Sequence, residues 1–359
     1  MRSLHWALLF TFGCSGNSAD SINTGPSGAD SGGAIDSGTP SNDGGQPADG
    51  GARDTGKPDG STTAATRIYA TLVSHNEQEN NVDCKDVVNS NNKDEYLSNR
   101  SATVDFAKAI RDAGGAYDMQ SEMTYLDQIK KWDTTTVMAA TDGKNLVKYL
   151  NEFAPGQVAV DAHSHEKDGT GGFNYADVAK TLIDMGVPTS GIVGGHVANP
   201  ASEEDWTRFR SPLKALRSDY QWTAQALWGA ASGLHQQDQN ASGVWRPKSA
   251  NEYFVDDPNQ TLPSIGTYEL ANDSFGSGLD MLMTKYKNGE LEKGKMYTVT
   301  LMTKQCAYHR DASIKTSAVA AITKYKAEAT SGILVWANLA TVLQTWKSTY
   351  ASQPVILKR

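Results

Sequence analysis

The chain has 359 residues, 38% of them apolar and 21% charged, with 41 acidic against 33 basic side chains and a net charge of −8. That length suits one large barrel or two average domains. The acidic balance, with no concentrated basic face, excludes nucleic acid as a partner, and no apolar run reaches the roughly eighteen residues of a membrane-spanning helix.

The start of the chain differs from the rest. Residues 1–14 read as a signal peptide: Arg2, an apolar run over 6–12, then Gly13 and Cys14. Cys14 after a small residue resembles a bacterial lipobox, in which the cysteine is lipidated. Thr11 stands three positions earlier, where leucine is usual, and Ser15 suits an outer-membrane destination. Export as a lipoprotein and plain secretion both follow from this reading, and the membrane is a partner only through the lipid. Residues 15–66 form a Gly/Ser/Asp-rich linker, with Ile22 and Ile35 as the only large apolar residues before position 60. Such a composition forms no core. Seven Asp against Arg53 and Lys57 give residues 15–60 a charge of −5, so the tether carries most of the acidity. Cys84 and Cys306 remain as one possible disulfide pair in an exported protein.

From position 67 onward, strand-like and helix-like segments alternate. Strands are expected over 68–74, 116–119, 157–162, 191–194, 222–227, 262–267, 296–303 and 333–337. Ser101 precedes an apolar helical series ending at Gly114 and Gly115, and Asn174 caps a helix carrying Val178, Leu182 and Met185. Residues 317–329 carry Val319, Ile322 and Tyr325 at helical spacing. This pattern predicts an α/β fold, a single distorted (β/α) barrel of seven to eight strands over 67–359, with a doubly wound open sheet as the alternative. In a barrel, chemistry belongs at the C-terminal ends of the strands.

The histidines fall there. His75, His163 and His165 close predicted strands, His196 ends GIVGGH, and His309 follows YTVTLMTKQ closely. In Val160-Asp161-Ala162-His163-Ser164-His165-Glu166, the period of two puts Asp161, His163 and His165 on one face and the apolar residues on the other. Neutral imidazole and carboxylate donors on one inward face suit a divalent metal, zinc first. Ser74-His75-Asn76-Glu77 ends the first strand, with His75 and Glu77 in phase. Gln120 and Glu122 follow the second strand. Gly194-Gly195-His196 reads either as a structural turn or as a close backbone approach to a ligand. Trp228, His235, Trp245 and Arg246 cluster after the fifth strand, where the tryptophans read as core or as sugar platforms.

Taken together, SHNE at 74–77, DAHSHE at 161–166 leading into GGFNYADVAKTLIDMG, WRP at 245–247 and His309 resemble the polysaccharide deacetylase superfamily over 68–346. That family is a group of metal-dependent esterases and amidases on a distorted (β/α) barrel. Its pattern is an acidic pair at the end of strand one, HxxxH after a later strand, an Arg-Pro element and a late histidine acid. Here His75-Asn76 stands in place of Asp-Asp, Lys167 stands four after His163, and the histidine spacing is two. DAHSH also resembles the HxH of amidohydrolases and PHP phosphoesterases, where it lies on the first strand; here two strands precede it.

The resemblance implies a hydrolase that deacetylates an N-acetylated polysaccharide or surface glycan. Zinc would sit on His163, His165 and His75 or Asp161. Glu77 or Asp161 would act as base, His309 as acid, and Arg246 would orient a carboxylate. Gln120, Trp228, Trp245 and His196 would contact substrate. Two further readings stand beside it: a catalytically inactive carbohydrate-binding surface protein, and a metal-free glycosidase using Glu77 and Glu269.

Overall fold

A computed structural model describes residues 64–76, 93–164, 172–195, 206–228, 240–269 and 274–359, with the backbone alone at 195 and 304–307. Its centre is a nine-stranded sheet: β1 (Arg67–Asn76), β2 (Tyr117–Ser121), β3 (Val158–Ser164), β4 (Ile192–Gly195), β5 (Ala226–Trp228), β6 (Val244–Trp245), β7 (Ser264–Ile265), β8 (Met296–Lys304) and β9 (Leu334–Trp336). The spatial order is β8-β1-β2-β3-β4-β5-β7-β6. β9 lies beside β1 at Ile68–Ala70, below the point where β2 takes over at Leu72. Every pairing is parallel except β6 with β7. All eight predicted strands contribute to this sheet. The prediction over 222–227 ran two elements together, because Gln221–Trp222 pairs with Leu213–Lys214 in a separate hairpin.

The helices lie between successive strands, as parallel connections require, apart from the last, which follows β9. They are α1 (Lys93–Asp112), α2 (Met123–Trp132), α3 (Thr135–Met138), α4 (Leu146–Phe153), α5 (Tyr175–Asp184), α6 (Ser277–Lys287), α7 (Gln305–Arg310), α8 (Ala312–Lys324), α9 (Lys326–Thr330) and α10 (Leu339–Ser348). Asn174 caps α5 as expected: its side chain accepts from the N–H groups of Ala176 and Asp177, and the Asp177 carboxylate accepts the Asn174 N–H in return. Ser101 lies inside α1, which begins at Lys93. The helix expected over 317–329 breaks at Tyr325 into α8 and α9. Among the described residues no helix is long and apolar enough to cross a membrane.

The period-two alternation sorts the strands into two apolar layers. Ile68, Ala70, Leu72, Tyr117, Met119, Val158 and Val160 point outward to the helices. Tyr69, Val73, Ile192, Ala226, Trp228, Val244, Ile265 and Met296 point inward. There they pack with Leu339, Val342, Leu343 and Trp346 of α10.

The sheet is strongly curled. In a flat sheet β1 and β5 would stand roughly 19 Å apart, at about 4.8 Å per strand. Yet the rings of His75 on β1 and Trp228 on β5 have centroids 5.3 Å apart, and the Trp228 indole N–H donates to Thr300 Oγ1 on β8 at 3.1 Å. Strand pairing among the described residues does not close into a ring. At the remaining seam, Thr300 N–H donates to Thr267 O at 2.8 Å. The Thr298 hydroxyl donates to Gly266 O at 2.6 Å and accepts from Gly243 N–H at 2.9 Å.

Candidate functional site

Parallel register decides which side chains share the inner face. His75 pairs with Gln120 and Gln120 with Asp161. His163 pairs with Gly194 and Gly194 with Trp228. These two rows bring His75, Gln120, Asp161, His163 and Trp228 to the C-terminal half of the sheet interior, all at 3% exposure or less. The in-phase reading of Asp161 and His163 matches their positions on β3.

The two imidazoles meet. The His75 and His163 rings, on strands separated by β2, have centroids 4.2 Å apart and planes tilted by 42°. Trp228 stands edge-on to His75 at 89°, its indole N–H fixed on Thr300. Its ring is buried and braces His75, so in this conformation it is core rather than an open sugar platform.

Gln120 shares this layer. Its carboxamide lies against the inner side of Gly194, where a Cβ would overlap it. Gly194 has an ordinary backbone conformation, so glycine is required by this close approach and not by a turn. Among the described residues, neither Oε1 nor Nε2 of Gln120 has a hydrogen-bond partner.

One step deeper lies a carboxyl pair. Asp161 accepts bonds from the Ser190 hydroxyl and, at 3.4 Å, from Ser190 N–H. Asp118, on β2, accepts the N–H of Leu339 at the start of α10 at 3.3 Å. The second oxygens, Asp118 Oδ1 and Asp161 Oδ2, have no donor among the described residues. Burial, followed by the Asp161 charge, raises the Asp118 carboxyl well above its ordinary value. Burial also raises Asp161, opposed by the bonds from Ser190 and Asp118. A proton carried by Asp118 and donated to Asp161 would satisfy both orphaned oxygens at once. Sequence reading missed Asp118, although an acidic residue two before Gln120 in an apolar strand shares its face and was a usable signal.

The remaining expected residues lie apart from this cluster. His309, on α7 outside the sheet, has Nε2 3.6 Å from the Glu95 carboxylate of α1. Trp245 faces outward, its indole N–H donating to Tyr253 O at 2.6 Å. Arg246 follows β6, whose antiparallel direction carries it to the opposite end of the parallel strands, where it is held by Asp256 at 2.8 Å. Glu269 accepts the N–H groups of Gly276 and Gly278 at the start of α6. Glu77, His165, His196, His235, Cys14 and Cys84 lie outside the described residues, as does the Cys306 side chain.

The donor chemistry fits a zinc-like ion in part. Two imidazoles converge with an unpartnered amide beside them, whereas zinc sites use three or four donors. Among the described residues no third His, Cys, Asp or Glu joins the pair. Two clefts, of about 400 and 340 Å3, lie at the N-terminal ends of the strands beside Ser190 and α10, away from the imidazoles. No protein-family profile matches the chain, and no curated relative matches it.

Proposed function

We propose that the chain is an exported, divalent-metal-dependent hydrolase on a distorted (β/α) barrel, acting on an acylated polysaccharide or surface glycan. The observation that carries this reading is the meeting of His75 and His163 on the inner face at the C-terminal strand ends. The barrel form is supported by the contacts from β5 to β8 and by the Thr300–Thr267 bond across the seam. The resemblance to polysaccharide deacetylases supplies the substrate class, and the signal-like start supplies export, with Cys14 as the lipid attachment point.

His75 and His163 would hold the ion, zinc by preference, with His165 as the third donor. When bound, it supplies Lewis acidity to the scissile carbonyl and acidifies water. The protein's own part is positional. Trp228 fixes the plane of His75, and Gly194 lets Gln120 reach the reacting region. Glu77 is the base in this reading. Asp161, held by the Ser190 hydroxyl and beside the raised Asp118 carboxyl, would set the electrostatics beneath His163. His309 would act as the acid only after leaving Glu95.

A second reading, a carbohydrate-binding surface protein without catalysis, is favoured by the placement of His309 and Arg246 away from the imidazoles. Acetate release from N-acetylchitohexaose, followed with and without a chelator, tests the hydrolase. Release that stops on chelation and returns with zinc is expected. Release that persists after chelation refutes the metal, and binding without any release favours the second reading.

A further inference from the structure

Gln120 presents a problem in energetics. Its side chain is wholly buried, with 0% exposure, yet both ends of its carboxamide lack a partner among the described residues. Leaving a buried donor or acceptor unsatisfied costs the full desolvation of that group. An apolar residue of similar length would avoid that cost. The fold goes further to accommodate the amide, since Gly194 forgoes a side chain where a Cβ would overlap it. The amide shares its register row with His75, and it lies on the inner face beside His163.

A carboxamide offers one acceptor and one two-proton donor, side by side in a plane. The matching ligand edge carries a donor and an acceptor on adjacent atoms. A trans secondary amide does not match alone, because its C=O and N–H point in opposite directions. Adjacent substituents on a sugar ring do match. Two vicinal hydroxyls, or an acylamino N–H beside a hydroxyl, place one donor and one acceptor together. With vicinal hydroxyls the match survives an exchange of Oε1 and Nε2, since each hydroxyl can take either role.

Resting on the hydrolase reading above, we infer that Gln120 is a saccharide-binding residue, whose carboxamide engages two adjacent ring substituents of the sugar unit beside the imidazole pair. Oε1 accepts from an acylamino N–H or a hydroxyl, and Nε2 donates to the neighbouring hydroxyl oxygen. The sugar unit it selects therefore keeps the hydroxyl next to its acylamino group unsubstituted. Gly194 is the positioning residue that admits the amide.

The experiment compares the full chain with Gln120→Leu and Gln120→Met, reading the melting temperature without ligand and the affinity for N-acetylchitotriose by calorimetry. The inference predicts opposite movements: melting temperature unchanged or raised, because an orphaned amide has been removed, and affinity reduced at least tenfold. It also predicts that a 3-O-methylated N-acetylglucosamine probe binds wild type no better than it binds the variants. A fall in melting temperature in both variants would show that the amide has a structural partner, and overturns the inference. So does trisaccharide affinity that is undetectable in wild type or unchanged in the variants. Wild type that binds the trisaccharide through Gln120 but releases no acetate would refute the hydrolase and leave this inference standing.

Discussion

Trp228 shows how much of the site rests on single contacts. Its ring edge braces His75 and its N–H reaches across the interior to Thr300. Trp228→Phe keeps the brace and loses the hydrogen bond, so about 1 kcal/mol of stability is expected to be lost in denaturant unfolding. Trp228→Ala opens a cavity, and about 3–5 kcal/mol is expected to be lost. Asp118 makes a pH-dependent contribution. Its folded-state carboxyl titrates above its unfolded value, so its stabilising effect is complete below about pH 4 and declines as pH rises through the folded value. Asp118→Asn donates to Asp161 at every pH. The stability difference between variant and wild type should therefore grow in favour of the variant as pH rises above about 4, the unfolded carboxyl's value; a difference that stays constant with pH would show that the Asp118 carboxyl is not raised. At this scale the sequence was informative about parity and silent about partners. The alternation around His163 placed Asp161 and His163 on one face, since strand geometry is local. Nothing in QCAYHR told that His309 would turn toward Glu95, because that contact depends on how α7 packs against α1.

Among the elements, α10 and the α1–α4 junction carry the sharpest expectations. α10 fills the interior at the N-terminal end of the strands, and Asn338 caps it by accepting Thr341 N–H at 2.9 Å. Asn338→Ala should cost about 1 kcal/mol. Asp133 collects four donors: the Arg100 guanidinium at 2.7 and 3.3 Å, Tyr96 Oη at 2.6 Å and the N–H of Leu146 at the start of α4. Asp133→Ala leaves the buried Arg100 charge without its carboxylate and should cost about 3–5 kcal/mol, read from the urea midpoint. The long apolar runs announced β1, β3 and β8, because such strands are buried on both faces. Val244–Trp245 went unread, being two residues long and antiparallel. The start of α1 was misplaced because its first two turns are largely polar, and Tyr96 and Arg100 are drawn in by Asp133 instead of by an apolar stripe.

At the scale of the whole molecule, the curl of the sheet is what assembles the site. His75, His163 and Trp228 come from three strands that are not neighbours, and only a curved sheet brings their rings within about 5 Å. The seam between β8 and the 242–243 and 266–268 segments depends on Thr298, which serves Gly243 N–H and Gly266 O together. Thr298→Val orphans a buried N–H there and should cost about 1–3 kcal/mol. Alternating strand and helix signals made the α/β class legible, whereas curvature and seam arise from long-range contacts that no local pattern encodes. The central claim is that this curvature builds a metal centre from His75 and His163. Its most direct test is the zinc content of the purified full chain, compared with His75→Asn and His163→Asn variants whose far-UV circular dichroism matches wild type. The account predicts one ion per chain, lost in each variant. Wild type that takes up no metal when zinc is supplied, or folded variants that keep a full complement, would contradict it.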